Sequence, residues 1–450
     1  MTSGPQILDT SGDLRAVTLR AFAWADPLDV ASAFADETHA CVLLSGEGGW
    51  SYVLRHPLPA IGGEEPADLD CASAERCAGG PPFQGGLVGL AAYELSAELE
   101  HTAPQARGDT PDLIALRYPA LLAFHAGDRR AVAVGRGPNA LMAGARADAA
   151  LTWLDGPRCC ARTGVLAVEV ACAVSDTDHA LAVADTIGRI AGGDLFQANL
   201  ARPWRGRLAA GVTPFDLFRR LAHQSPAAYA AYLRLPGRAV VSNSPEQFLS
   251  VRREGDALWA ESQPIKGTRA RGADPMSDAA LAAELQASAK DQAENLMIVD
   301  LMRNDLARVC DPGTVSVPAR AVLRSYANVH HLVSRVRGRL KAGATAWSAF
   351  CAAFPPGSVT GAPKLAAMSV IAHHEPPRGA YCGSLFWLGP DGALESSVLI
   401  RTVTLSENPA GWVFEARAGG GIVADSDPMS EVRETTTKIG AILRALTGAT

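Results

Sequence analysis

Residues 263–272 carry the sequence QPIKGTRARG, in which one lysine, Lys266, stands between a proline and a glycine. Pro264 fixes its own φ, and Gly267 allows a turn or a close approach to the backbone. A lysine held in this way can act as a nucleophile or as an anion anchor if its surroundings lower its pKa. The alternative is an ordinary basic loop, and these ten residues alone do not decide between the two.

The composition of the chain excludes several classes of protein. With 450 residues, 48% of them apolar, the chain can form one large domain or two to three ordinary ones. The net charge of −6 argues against a nucleic-acid or anionic-membrane surface. No apolar run is long enough to span a membrane, and residues 1–13 lack the order of a signal peptide. Because the nine cysteines show no C-x-x-C spacing, we expect reduced thiols and a cytoplasmic protein.

The first third of the chain reads as mixed strands and helices without a catalytic pattern. Paired strands are predicted within 113–124 and 131–134, around a Gly-Asp-Arg turn. Residues 155–164 contain Gly, Pro and two Cys, which is typical of a boundary. We therefore predict an N-terminal region over 1–155 and a second domain over 165–450.

Stronger signals begin near residue 175. Ser175 can cap a helix that has early acidic residues and an apolar stripe, and the strand 194–202 follows it. Two hairpins are predicted over 227–242 and 248–259. Lys266 comes directly after the second hairpin, so we expect it at a strand exit.

Two predicted helices carry acidic residues that could bind a metal ion. One helix spans 287–309 and includes Glu294, and another begins near Asp427 and places Glu431 and Glu434 on one side. If the helices face each other, these oxygen ligands suit a hard cation such as Mg²⁺. The alternative is a solvated helix face, which is what charged helical residues usually indicate.

Three further segments could bind an anion. A Gly- and Pro-rich loop over 354–364 ends in Lys364 and leads into a helix, whose free N–H groups can hold a carboxylate. Arg401 lies in a predicted apolar strand over 397–403, where an arginine needs an anionic partner. The glycines 419–421 offer bare backbone N–H groups just before the second acidic helix.

From residue 175 onward the sequence resembles the chorismate-binding domain shared by anthranilate, isochorismate, salicylate and aminodeoxychorismate synthases. The motifs that match, in the family's order, are DLFQ at 194–197 with Arg202, SPE at 244–246, PIKGT at 264–268, DLMRND at 300–305, HHLVS at 330–334, and the segments 357–364 and 419–434. This ordered set is very specific, and residues 1–155 are similar in length to the family's less regular first half. The resemblance implies an α/β (α+β) fold with two stacked, mostly antiparallel β-sheets flanked by helices, and an active site in a cleft.

The resemblance also implies roles for individual residues. Magnesium would be bound by Glu294, Glu431 and Glu434. The carboxylates of chorismate would be held by Tyr381, Arg401, Gly420, Gly421 and, at the end of the Gly- and Pro-rich loop, Lys364. Catalytic roles would belong to Lys266, Glu294, His331 and Thr360.

Two positions distinguish the branches of this family. Isochorismate and salicylate synthases carry a lysine base where this chain has Gln197, which argues against water addition. Lys266 resembles the lysine of aminodeoxychorismate synthases, whereas anthranilate synthases typically carry alanine there. In that branch the lysine is proposed to attack carbon 2 of chorismate as the carbon-4 hydroxyl leaves, after which ammonia at carbon 4 displaces it. We expect burial, Arg269 or Arg271 to lower the pKa of Lys266.

The resemblance therefore implies a magnesium-dependent synthesis of 4-amino-4-deoxychorismate, for p-aminobenzoate and folate. The 450 residues contain no separate glutaminase pattern, so the family implies a glutamine amidotransferase partner that supplies ammonia. Two alternatives stay open, an anthranilate synthase component I and a non-catalytic regulatory protein that binds chorismate or tryptophan. The family's first half often contains a tryptophan pocket, whose residues the sequence does not locate.

Overall fold

The computed structural model of the chain describes residues 14–46, 48–58, 74–101, 108–326 and 329–448. The polar segment 1–13, which lacks the order of a signal peptide, lies outside the described residues. In the described parts of the chain, no helix combines the length and the apolar character needed to cross a membrane.

The strands within this part of the chain are β1 (Ala16–Phe22), β2 (Cys41–Leu43), β3 (Trp50–Leu54), β4 (Gly86–Ala91), β5 (Leu113–Tyr118), β6 (Ala120–His125), β7 (Arg130–Gly137), β8 (Ala167–Cys172), β9 (Gln197–Leu208), β10 (Tyr229–Leu235), β11 (Arg238–Ser244), β12 (Gln247–Glu254), β13 (Ala257–Ser262), β14 (Ile265–Ala270), β15 (Ser316–Ser325), β16 (Val329–Arg339), β17 (Gly361–Ala362), β18 (Ser384–Leu388), β19 (Leu394–Val398), β20 (Thr402–Asn408) and β21 (Gly411–Ile422). The α-helices are α1 (Pro27–Ala31), α2 (Leu95–Leu99), α3 (Ala140–Leu151), α4 (Asp176–Ala191), α5 (Pro214–Gln224), α6 (Pro275–Ala287), α7 (Ala289–Ala307), α8 (Ala346–Ala353), α9 (Lys364–His374) and α10 (Pro428–Thr447).

These strands form two antiparallel sheets. The first sheet has twelve described strands in the order β1-β7-β6-β3-β2-β10-β11-β20-β21-β9-β17, with β8 paired to β9. The second has nine, in the order β14-β16-β13-β12-β19-β18-β4-β5, with β15 paired to β16. Strands from residues 1–155 lie in both sheets, beside strands from the rest of the chain. The division at 155–164 stays a proposal.

The two sheets stack face to face, as the alternation of apolar residues along their strands shows. Cys41 and Leu43 of β2 join an apolar layer with Val88 of β4 in the second sheet, whereas Val42 packs on the opposite face. Since successive side chains of a strand point to opposite faces, this layer must lie between the sheets. The predicted fold is confirmed.

Helices cover the outer face of each sheet. α5 and α10 pack against the first sheet through Phe218 and Ile442, among other residues. On the second sheet, Phe350 of α8 lies edge-on against Phe248, with ring centroids 5.3 Å apart. Burying a side chain of this size contributes roughly 1.5–3 kcal/mol, so these contacts fix the helices on the sheets.

Local signals locate most elements near the site correctly. Ser175 caps α4 by accepting the N–H of Asp178, and Asp427 caps α10 by accepting that of Ser430. The strand pairing predicted within 113–124 is only partly right. Pro119 lies where this stretch divides, so β5 pairs in the second sheet and only β6 pairs with β7. The helix α6 was not predicted.

Candidate active site

Lys266 lies in a short strand, not at the strand exit that the sequence predicts. It is the second residue of β14, whose register with β16 shifts between Ile265 and Thr268. Gly267 has φ +88° at this shift, a conformation that favours glycine. An irregularity of this kind changes the direction of the neighbouring side chains. The predicted need for a glycine after Lys266 is therefore confirmed, although the setting is a strand.

The side chain of Lys266 is enclosed. It is 14% exposed, and its Nζ lies 4.0 Å from Oε2 of Glu294 on α7. Burial lowers the pKa of Lys266, Glu294 opposes this, and the ammonium of Lys438 lowers the pKa further. Because a neutral amine is the nucleophilic form, this environment favours the chemistry expected of Lys266.

Neither nearby arginine accounts for this shift in the way the sequence suggests. Arg269 is paired with Glu284 and Asp291. Arg271 is paired with Asp278, at 2.7 Å. Both arginines thus form ion pairs with neighbouring acids, and neither is among the causes of the lowered pKa of Lys266. The cation beside Lys266 is Lys438, from the distant helix α10.

Glu431 of α10 approaches the backbone of β21. A Cβ at Gly420 would lie 2.6 Å from Glu431 Oε2 and 3.4 Å from Glu434 Oε1, so only glycine fits without a shift. Ser426 donates to Oε1 of Glu431 at 2.7 Å, but the buried Oε2 has no hydrogen-bond partner. Burial raises the pKa of Glu431. A buried carboxylate oxygen without a hydrogen-bond partner is chemically suited to bind a cation.

The acids of α7 and α10 share the same cations. Lys290 lies 4.0 Å from Glu294 and also influences the pKa values of Glu431 and Glu434. The carboxylate oxygens of Glu294, Glu431 and Glu434 do not all lie within 4.8 Å of one another. Carboxylates on two helices, one with a free buried oxygen, nevertheless fit a hard cation with several water ligands.

Buried polar atoms without partners occur next to Lys266 and further along β9. A Cβ at Gly421 would lie 2.9 Å from Nε2 of Gln197 and 3.4 Å from Nζ of Lys266, so the three groups adjoin. The unpartnered buried atoms on β9 and on the loop before β17 are Gln197 Nε2 and Oε1, Asn199 Oδ1 and Thr360 Oγ1. Because buried polar groups are normally hydrogen-bonded, these atoms are candidates to bind a ligand.

The hydroxyl of Thr360 is fully buried and has no partner in hydrogen-bond geometry within the described residues. The Tyr93 hydroxyl also has no partner in hydrogen-bond geometry, although it lies close enough to Thr360 for that residue to influence its pKa. Thr360 is fixed by its backbone, whose carbonyl accepts the N–H of Asn199 at 2.8 Å. The hydroxyls of Thr360 and Tyr93 therefore lie next to each other in the core.

His331 of β16 is held neutral. Its Nδ1 is hydrogen-bonded to Oγ1 of Thr268 at 2.9 Å. Burial, followed by the positive charge of Arg401, lowers the pKa of His331 to about 4. At neutral pH the imidazole can donate or accept one hydrogen bond at Nε2 and carries no charge.

The sequence predicts Arg401 inside a strand, and this prediction is wrong. Arg401 occupies the turn between β19 and β20 with φ +51°, where the N–H of Asn243 donates to its carbonyl. No hydrogen bond or ion pair of its guanidinium occurs within the described residues. Burial lowers the pKa of Arg401, and the carboxylate of Glu246 opposes this. A half-buried arginine without a protein partner suits an anionic ligand.

A known family of sequences matches most of this chain. The family described as chorismate binding enzyme covers residues 59–444. This chain belongs to the chorismate binding enzyme family. An aminodeoxychorismate synthase component 1 from Klebsiella aerogenes is 40% identical over 370 residues, which cover 81% of this chain and 78% of that protein.

A second relative is similar over a shorter region. An aminodeoxychorismate synthase from Streptomyces pristinaespiralis is 50% identical over 241 residues, or 53% of this chain. The match spans only about a third, 32%, of the length of that relative.

Among solved structures, anthranilate synthase component I from Streptococcus pneumoniae TIGR4 has a TM-score of 0.73 at 23% identity, covering 95% of this chain and 92% of that one. This structural likeness establishes the chorismate-binding enzyme fold.

Glu246 is a further candidate site residue, which was not among those expected from the sequence. It lies between β11 and β12, and Ser358 donates to its Oε1 at 2.8 Å. Burial raises its pKa to about 6, while Ser358 and the charge of Lys266 act in the opposite direction. The available signal was an acid in the SPE segment between two apolar strands, because such an acid needs a partner when buried.

Two predicted substrate-binding residues have structural partners instead. Lys364 is buried, and its Nζ lies 2.9 Å from both Asp305 Oδ2 and the carbonyl oxygen of Ala353. Tyr381 lies in an apolar cluster, with the Arg378 guanidinium 5.7 Å from its ring centroid. These contacts hold both side chains in the protein core, and their substrate-binding roles stay predictions.

Proposed function

We propose that this chain is the synthase component of an aminodeoxychorismate synthase, which converts chorismate and ammonia to 4-amino-4-deoxychorismate and water. The observation that carries the proposal is the enclosed amine of Lys266 beside Gln197, in a chorismate-binding enzyme. A neutral amide at position 197 cannot serve as a base for water, whereas a lysine of lowered pKa can attack carbon. The name of the Klebsiella aerogenes relative agrees with this reading.

Arg401 would anchor a carboxylate of chorismate. Its guanidinium has five N–H donors in a planar fork, and no protein acid occupies them in the described chain. His331 is close enough to Arg401 for that charge to lower its pKa, so a neutral imidazole would flank the bound anion. Gly420 and Gly421 leave space where any Cβ would collide with Glu431 or crowd Gln197. The substrate would thus lie between β21 and β14.

Lys266 would then attack carbon 2 of the ring. Its Nζ forms a bond to carbon 2, both ring double bonds shift, and the bond between carbon 4 and its hydroxyl oxygen breaks. Glu246 would protonate that oxygen, since it is close enough to Lys266 to feel its charge and burial raises its pKa to about 6. The leaving group departs as water, and Glu246 is left as a carboxylate.

Ammonia would complete the replacement in a second step. It forms a bond to carbon 4, the double bonds shift back, and the electron pair of the carbon 2–nitrogen bond returns to Lys266. The new ammonium group loses one proton to Glu246, which restores the acid. Covalent catalysis divides one awkward substitution at carbon 4 into two steps with the same residues.

Glu294, Glu431 and Glu434 would hold Mg²⁺, as their oxygen ligands and the unpartnered Oε2 of Glu431 suggest. When bound, the ion would neutralise negative charge on a substrate carboxylate. Glu294 belongs to α7, and Glu431 and Glu434 belong to α10. A magnesium requirement of the reaction is part of this proposal.

The ammonia would come from a glutamine amidotransferase subunit. The word component in the name of the Klebsiella aerogenes relative implies a second subunit there. By the same reading, the product would feed p-aminobenzoate and folate synthesis, in the cytoplasm. Ammonium salts at high pH can replace the subunit in vitro, because free ammonia is then abundant.

Product identification tests this proposal directly. The purified chain is incubated with chorismate, Mg²⁺ and ammonium at about pH 9. The products are separated by chromatography and identified by mass spectrometry. We expect 4-amino-4-deoxychorismate. Anthranilate as the main product would assign the chain to the alternative synthase, and isochorismate would contradict the role of Gln197.

A further inference from the structure

Two adjacent histidines end helix α9, and an acid of helix α4 lies against them. Nε2 of His374 is 2.9 Å from Oδ2 of Asp185, and the rings of His373 and His374 are 4.8 Å apart, edge to face. One potential ligand atom from each of the three residues lies within 4.8 Å of the other two. None of the three belongs to the Lys266 site.

The acid of this group is oriented by a neighbour but keeps one oxygen available. Arg189 donates from Nε to Oδ2 of Asp185 at 2.8 Å, and His374 contacts the same oxygen. Oδ1 takes part in neither contact. The Asp185 side chain is 46% exposed, and that of His374 is 13% exposed, so the group is open to solvent on one side and fixed on the other.

His373 has the features of an available ligand. It is exposed, and within the described residues its imidazole makes no hydrogen bond, only the ring contact with His374. Both histidines lie in the last turn of α9, where the helix carbonyls favour positive charge. An ordinary ion pair between His374 and Asp185 does not use His373, whereas a metal ion would use all three.

We propose that Asp185, His373 and His374 form a binding site for a divalent transition metal of the Zn²⁺ class. Two imidazoles and one carboxylate suit Zn²⁺, Co²⁺ or Ni²⁺, while Mg²⁺ prefers oxygen ligands only. Three protein ligands leave a fourth position for water, and ligands at about 2.1 Å from zinc lie roughly 3.4 Å apart. Separations that are now as long as 4.8 Å would therefore shorten on binding, and the 2.9 Å hydrogen bond between His374 and Asp185 would be replaced.

The bound ion would connect the two helices that flank the candidate active site. α4 is followed by β9, which begins with Gln197, and α9 follows the loop that carries Thr360. Between them lies a small separate apolar cluster of Leu195, Ala198, Ala367 and Val370. Val183 of α4 and Ile371 of α9 also share a larger apolar cluster. A metal bridge would add a further connection between the two helices and would stabilise the native state by mass action.

Isothermal titration calorimetry with ZnCl₂, in buffer that contains Mg²⁺, measures the site. Because Cys159 and Cys160 are exposed, adjacent thiols that also bind zinc, every protein carries Cys159→Ser and Cys160→Ser. We expect one zinc ion per chain and a higher thermal midpoint with zinc. The double variant His373→Ala/His374→Ala and the variant Asp185→Asn should each weaken binding at least tenfold.

The matched control is His223→Ala, which removes an exposed histidine of α5 and should bind zinc like the parent. Co²⁺ provides an independent readout, since three nitrogen and oxygen ligands in a tetrahedral site give an intense visible band that the variants should lack. Circular dichroism without metal shows whether each variant is folded. A parent that binds no stoichiometric zinc would overturn the proposal, and so would folded cluster variants that bind zinc with unchanged affinity.

Discussion

Replacing Arg401 by lysine should raise the Michaelis constant for chorismate by about 10- to 150-fold while the protein remains folded. The guanidinium is half-buried and has no ion pair or hydrogen bond within the described residues. Its positive charge is therefore available to an anionic ligand. Lysine retains the charge but presents a single ammonium in place of the planar fork, so one of two parallel hydrogen bonds to a carboxylate is lost.

The size of the effect follows from that lost hydrogen bond. A hydrogen bond to a charged group contributes about 1.5–3 kcal/mol, and each 1.4 kcal/mol changes an equilibrium constant about tenfold. The backbone adds no further cost, because at φ +51° lysine is no more strained than arginine. No protein ion pair is broken either, so the free energy of unfolding should change by less than about 1 kcal/mol.

Steady-state kinetics with varied chorismate, at saturating Mg²⁺ and ammonium, measures the change. Arg320→Lys is the matched control, since Arg320 is an exposed residue of β15. We expect kcat to fall much less than kcat/KM, which is typical of a lost ground-state contact. A wild-type Michaelis constant in Arg401→Lys would refute the substrate-anchoring role and leave the arginine a structural residue.

Three further substitutions test the other parts of the site. Lys266→Ala should abolish most formation of the 4-amino product, whereas the control Lys341→Ala, at an exposed lysine, should not. If chromatography shows that Lys266→Ala forms this product at the wild-type rate, the covalent step is excluded. Burial raises the pKa of Glu246 from 4.5 to about 6, so its contribution to stability is complete below pH 4.5 and is lost as the pH rises through 6. Glu246→Gln, which stays neutral, should therefore be about 2 kcal/mol more stable than wild type at pH 8 and equally stable near pH 4.5. Its activity should be at least about 100-fold lower. Urea unfolding that shows no such pH-dependent difference would contradict the buried acid. Glu431→Gln should raise the Mg²⁺ concentration for half-maximal activity about 10-fold or more with little change in thermal midpoint, and an unchanged magnesium titration would remove Glu431 from the metal site.

Signals that act over a few residues were sufficient for much of the fold. Ser175 and Asp427 mark the starts of α4 and α10 because a cap satisfies N–H groups only two or three residues away. Gly267 was expected to allow an unusual backbone geometry beside Lys266, and its φ of +88° agrees. The helix α6 was missed because its Ala-rich sequence has no clear apolar stripe, and the division at Pro119 because both halves of the stretch are apolar.

The sequence by itself determined the family and the stacked sheets, and it supplied the candidate residues of the site. Only the tertiary structure decided which of these residues meet, because the contacts join strands and helices far apart in the chain. Gly421 of β21 pairs with Asn199 of β9, and this pairing places Gln197 beside Lys266. The same long-range packing makes Lys438, and not Arg269, the cation that lowers the Lys266 pKa. Electrostatic effects depend on distance and burial in the folded chain, and neither quantity is encoded in any short stretch of sequence.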